Sequence, residues 1–78
     1  MISGLQIRLA RAALRWRVDD LSQKSGVPWA RIQLIERNNS IGKESEEKIH
    51  NIKSCFENNG IIFKDPDDKN EGYVILKK

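Results

Sequence analysis

Apolar residues recur with helical spacing along the chain up to Gly60, and the pattern then changes. Ile7, Ala10, Ala13 and Leu14 fall on one side of a helix over residues 3–14. Ser3 stands three residues before Gln6, the spacing of a capping box, and Ile2 and Ile7 can staple across that cap. Ile32 and Ile35 share a face of a helix over residues 28–37. Ile49, Ile52, Cys55 and Phe56 form an apolar stripe over 45–58, with Ser45 as N-cap and Glu46 and Glu47 in the first turn. Beyond Gly60, Ile61-Ile62-Phe63-Lys64 and Tyr73-Val74-Ile75-Leu76 are β-rich runs separated by the polar stretch from Asp65 to Gly72. The expected architecture is mainly α: four helices in residues 1–60, then a two-stranded β-hairpin in 61–78 packed on the same domain.

Residues 18–37 read as helix, turn, helix. Leu21 and Ser22 lie one turn before Gly26 on the inward side of a short helix. Gly26 can end that helix in the left-handed conformation without steric cost. Val27 then plugs the corner, and Pro28 sits at the start of the next helix, where its missing N–H costs nothing. Ile32 and Ile35 hold this second helix by its back. The opposite face carries Trp29, Ala30, Gln33 and Leu34, with Arg31 and Arg37 at its flanks.

In Leu21, Ser22, Gly26, Val27, Pro28, Ile32 and Glu36 the stretch resembles the helix-turn-helix of the phage repressor, Cro and XRE-type bacterial regulators. The resemblance extends from about Ile2 to Leu76. It implies a lambda-repressor-like bundle in which the helix over 28–37 enters the DNA major groove. By the same resemblance Arg11 pairs with Glu36 and locks the first helix against the third, and Trp16 belongs to the core. Two positions depart from the family. Arg17 stands where Ser or Thr is favoured, which forfeits about 1 kcal/mol of capping, partly offset by Asp19 and Asp20 at the helix dipole. Val18 stands where a glutamine often touches DNA, so that contact is lost, and Arg17 can supply a phosphate contact instead.

On the displayed face, Gln33 is the best base reader, because its amide can bond adenine N6 and N7 together. Ala30 can touch a thymine methyl, and Arg31 can reach guanine or a phosphate. Trp29 either packs on the sugar-phosphate backbone or closes back over the preceding helix. Asn38 can end the helix in the left-handed conformation. In the following loop Arg37, Asn39, Ser40 and Lys43 can line a phosphate, which positions the protein without carrying sequence information. Arg8 and Arg15 are expected to be solvated.

Charge sharpens this picture. The chain of 78 residues carries a formal net charge of +3, placed unevenly. Residues 1–44 hold eight Lys/Arg against four Asp/Glu, and residues 45–78 hold six against seven. The basic half is the helix-turn-helix half, which suits double-stranded DNA. A chain this short buries only about 60% of its extended surface, so a second copy is favoured over a monomer, with a hairpin edge pairing two subunits into a homodimer. The single cysteine, Cys55, excludes an internal disulfide framework and fits a reducing cytoplasm, and the family resemblance implies a bacterial or phage-type one with the protein at the nucleoid. No apolar run approaches a membrane span, and no secretory signal is visible. Asp65, Asp67 and Asp68 suggest calcium, but the sixth position of an EF-hand loop would be Asn70, and no cofactor or metal is expected. One His, one Cys and no phosphate-cradling glycine loop make an enzyme the weakest class. The expectation is a DNA-binding transcriptional regulator, most simply a repressor. The alternative is a protein-interaction module on the same scaffold, such as the antitoxin of a toxin–antitoxin pair.

Overall fold

The computed structural model describes residues 2–38, 46–65 and 72–77. They form α1 (Gly4–Leu14), α2 (Val18–Ser25), α3 (Trp29–Asn38) and α4 (Glu46–Asn58), followed by β1 (Ile61–Lys64) and β2 (Tyr73–Leu76). The strands pair antiparallel, Ile61 opposite Leu76 and Lys64 opposite Tyr73. The described residues are thus mainly helical with a C-terminal two-stranded hairpin. No helix among them is long and apolar enough to cross a membrane.

Local chemistry explains most boundaries. The capping box at α1 is complete: Gln6 N–H donates to Ser3 Oγ at 3.1 Å, and Ser3 N–H donates to Gln6 Oε1 at 2.9 Å. The helix stops at Arg15, which takes the left-handed conformation at φ 59° and so turns the chain into α2. Arg17 lacks an acceptor to cap α2, but the carboxylate of Asp20 accepts from Arg17 N–H at 2.9 Å. That bond compensates more directly than the dipole alone. Gly26 closes α2 at φ 78° with its N–H on the Ser22 carbonyl. The Ser22 hydroxyl donates to the Val27 carbonyl at 2.6 Å, and Val27 N–H donates to Ser25 Oγ at 3.2 Å, so two serines stitch the corner.

The expected range 28–37 for the second helix of this unit shifts by one residue. Pro28 precedes α3, and its carbonyl accepts from the N–H of Arg31 and Ile32 at 3.0 and 3.2 Å. It therefore acts as the residue before the first turn. At the other end α3 runs to Asn38, one residue past the expected 37, and Asn38 is its last residue instead of the left-handed one after it. The expected N-cap Ser45, and residues 66–71 of the polar connection with its aspartates, also lie outside them.

One core joins all four helices and the hairpin. Ile7, Leu21, Ile32, Ile52 and Phe56 are fully buried, with Ile2, Ala10, Val27, Ile35, Ile49, Cys55 and Ile61 around them. Trp16, half-buried, stacks on Phe56 at 5.5 Å between ring centroids, and Phe63 meets Phe56 edge-on at 6.0 Å. Lys24 lies 5.2 Å from the Trp16 ring, a cation–π contact on the solvent side. This aromatic row ties the α1–α2 connection to α4 and β1.

Helix α1 packs against α3 and against β2. Its link to the hairpin runs through Gln6. While Oε1 serves the capping box, Nε2 donates to the carbonyls of Lys64 at 2.7 Å and Tyr73 at 3.3 Å. One buried amide thus closes the helix start and holds both strands. Gly72 passes so close to it that an added Cβ would lie 2.9 Å from the amide carbon and nitrogen.

Candidate nucleic-acid interface

Helix α3 is fixed from behind in two ways. Ile32 and Ile35 are buried in the core. Glu36, with 8% of its side chain exposed, receives a bidentate fork from Arg11: Nε donates to Oε2 at 2.8 Å and an Nη donates to Oε1 at 2.7 Å. The other Nη of Arg11 donates to the Trp16 carbonyl at 3.1 Å. The guanidinium therefore ties α1, the α1–α2 connection and α3 together. Paired guanidinium and carboxylate satisfy each other in this geometry, which makes near-burial tolerable.

The front of α3 is open. Ala30, Arg31, Gln33 and Arg37 are exposed, Trp29 is 50% exposed and Leu34 41%. Trp29 is thus not closed away over α2. Arg17 is also exposed, at the start of α2. Trp29, Ala30, Gln33, Leu34 and Arg37 therefore share the open side of α3, and Arg31, roughly 160° round the helix from Gln33, is exposed at its far flank, while Asn39 and Lys43 lie outside the described residues.

Beside this face, where α1, the start of α2 and α3 meet, runs an open groove lined by Arg8, Arg11, Val18, Gln33, Glu36 and Arg37. Arg8 belongs to it, although its sequence position announces only a solvated cation. The signal that could have found it is spacing: Arg8 precedes Arg11 by three residues, so the two share a side of α1.

Elsewhere the chemistry is sparse. Cys55 is buried, and burial pushes its thiol up from the ordinary value of 9.0 against a smaller lowering by Lys24, so it stays protonated and unreactive at neutral pH. His50 and Ser54, one turn apart on the exposed side of α4, approach only to 3.4 Å. Among the described residues no three His, Cys, Asp or Glu side chains gather as metal ligands.

No protein-family model, curated protein or solved structure matches the chain. The residues and their geometry therefore carry the functional reading.

Proposed function

We propose that this chain is a sequence-specific, double-stranded-DNA-binding transcriptional regulator, a lambda-repressor-like helix-turn-helix bundle that inserts α3 into the major groove and represses by occupying its operator. One observation carries the reading: α3 is held rigidly from behind by Ile32, Ile35 and the Arg11–Glu36 fork, while its front presents an amide, the Arg37 guanidinium and apolar groups to solvent, with Arg31 exposed at the flank. A base-reading helix needs that combination, because side chains must reach base edges from a backbone that does not yield. In this reading Gln33 and Arg31 address bases, Ala30, Trp29 and Leu34 make apolar contacts, and Arg17 and Arg37 sit on phosphates, with Asn39 and Lys43, outside the described residues, as further phosphate contacts expected from the sequence.

Selection of bound duplexes from a random pool tests this. The wild type is expected to enrich one sequence. Gln33→Ala is expected to relax the preference at one base pair by about 1–3 kcal/mol, and Arg37→Ala to weaken all sequences alike. An unchanged preferred sequence in Gln33→Ala would sink the assignment of this face.

The hairpin supports a homodimer as the functional form. Its outer side exposes Ile62, Tyr73 and Ile75. Two copies joined there can set their α3 helices about 34 Å apart, one turn of DNA. Ile62→Lys is expected to lower the mass seen by sedimentation. A second reading rests on Trp29 and Leu34, whose exposed apolar surface also suits a protein partner such as a toxin. Absence of any gel shift at low salt would favour it.

A further inference from the structure

We propose that the groove between α1 and α3 is a seat for one backbone phosphodiester of duplex DNA, gripped by Arg8 from α1 and Arg37 from α3. This rests on the DNA-binding reading above and extends it to a helix that, on that reading, has only a supporting role.

The groove's charge balance is the first argument. Among the described residues its lining has three guanidiniums, Arg8, Arg11 and Arg37, and one carboxylate, Glu36. Both oxygens of Glu36 are taken by Arg11, at 2.8 and 2.7 Å. That pair neutralises itself, and the excess charge is carried by Arg8 and Arg37. Both are exposed, and neither guanidinium has a hydrogen bond or ion pair among the described residues. Two like charges lining one groove give it a positive potential that an anion can neutralise.

The walls are the second argument. Val18, the first residue of α2, brings no acceptor to the groove. The positive end of the α2 dipole opens beside it. The two acids of the α2 first turn, Asp19 and Asp20, do not line it, and Asp20 is engaged by Arg17 N–H at 2.9 Å. Gln33 contributes an amide that can donate to a phosphate oxygen or to a base at the groove's edge. A guanidinium fork matches the paired oxygens of a phosphodiester better than an ammonium does.

The third argument is continuity. Gln33 and Arg37 belong both to the groove and to the open face of α3. A polyanion running along that face therefore passes the groove, whereas a free phosphate gains nothing from the rest of the surface. The Arg11–Glu36 fork has a second consequence here: by silencing the one carboxylate, it makes the groove fit for an anion.

Fluorescence anisotropy with a duplex pool of random sequence, over about 50–200 mM salt, tests the seat. Arg8→Gln and Arg37→Gln are each expected to weaken binding about ten-fold at the low-salt end and to flatten the log–log salt slope by about one. Arg15→Gln, the same charge change on the exposed residue that follows α1 outside the groove, is expected to keep the wild-type slope. A duplex carrying a single methylphosphonate that weakens the wild type is expected to lose that effect in Arg8→Gln. Wild-type affinity and slope in a folded Arg8→Gln, with the wild type binding normally, overturn the seat alone. A wild type that binds no duplex overturns the DNA reading and the seat with it. Inorganic phosphate that saturates the groove as tightly as the duplex does overturns the assignment to a backbone phosphodiester.

Discussion

Helix α1 holds its neighbours with two different chemistries. Arg11 reaches across 25 positions of sequence to Glu36 and fixes α3 through a charged fork. Gln6 reaches across 58 and 67 positions to the carbonyls of Lys64 and Tyr73 and fixes the hairpin through a neutral amide. Five positions apart on a helix, the two side chains leave it roughly 140° from each other, so each serves a different neighbour. The charged fork has two removable halves, and losing either strands a poorly solvated charge. The amide has one removable half, because its partners are backbone. α3 is thereby secured by a pair that selection can tune from both sides. The hairpin, beyond its share of the apolar core, is tied to α1 by a single side chain whose other duty is to cap the helix start.

The largest expected effect is at the fork. Glu36→Ala leaves Arg11 without its carboxylate, with 21% of that side chain still reaching water. A loss of about 2–4 kcal/mol in urea unfolding is expected, somewhat below the figure for a fully buried pair. The double variant Arg11→Met, Glu36→Leu is expected to be more stable than either single loss, which a double-mutant cycle reads directly. Wild-type stability in Glu36→Ala would reduce the fork to an ordinary surface pair.

Gln6→Ala comes next, at about 1–3 kcal/mol for the unpaired carbonyls and the lost cap bond. Native-state hydrogen exchange is expected to speed up in β1 and β2 before α3. Equal acceleration in both would show that the two anchors form one cooperative unit and end the contrast between them.

Two glycines then sharpen the picture of the amide anchor. Gly26 at φ 78° and Gly72 at φ 98° both occupy the left-handed region, but an added Cβ meets open space at Gly26 and the Gln6 amide at Gly72. Gly26→Ala is expected to cost about 1 kcal/mol and Gly72→Ala about 2. The excess at Gly72 is expected to shrink in a Gln6→Ala background, and additivity would deny the contact.

The smallest effect touches neither anchor. The folded thiol of Cys55 holds its proton to higher pH than the unfolded one. Its contribution is therefore complete below the ordinary thiol value of 9.0 and is lost as pH rises from there through the folded value. The urea midpoint of the wild type is expected to fall slightly more than that of Cys55→Ala between about pH 8 and 10. Identical pH profiles would show the thiol to be as hydrated folded as unfolded.

The readable parts of this molecule are those written in local pattern. The helical stripes, the Ser3–Gln6 box, the Gly26 turn and the β-rich runs each sit within a few residues, and each element formed where its pattern stood, within one residue at Pro28 and Asn38. The face of α3 was legible as well, because burying Ile32 and Ile35 leaves Trp29, Ala30, Gln33 and Leu34 no other direction. The Arg11–Glu36 pair came from a family resemblance and not from periodicity.

Three features were not legible. Arg15 ends α1 in a conformation that favours glycine, held by the N–H groups of Arg15 and Trp16 closing back on the carbonyls of Ala12 and Arg11. Gln6 gave no sign of the hairpin, since its targets are carbonyls that every residue possesses. Arg8 looked like any solvated cation until α3 brought Arg37 and a neutralised Glu36 beside it. Periodicity and turn chemistry act through neighbours along the chain, so order along the chain suffices to settle elements and their exposed faces. A distant carbonyl or the charge left over in a groove depends on which surfaces meet, and that becomes definite only once the helices and the hairpin have packed.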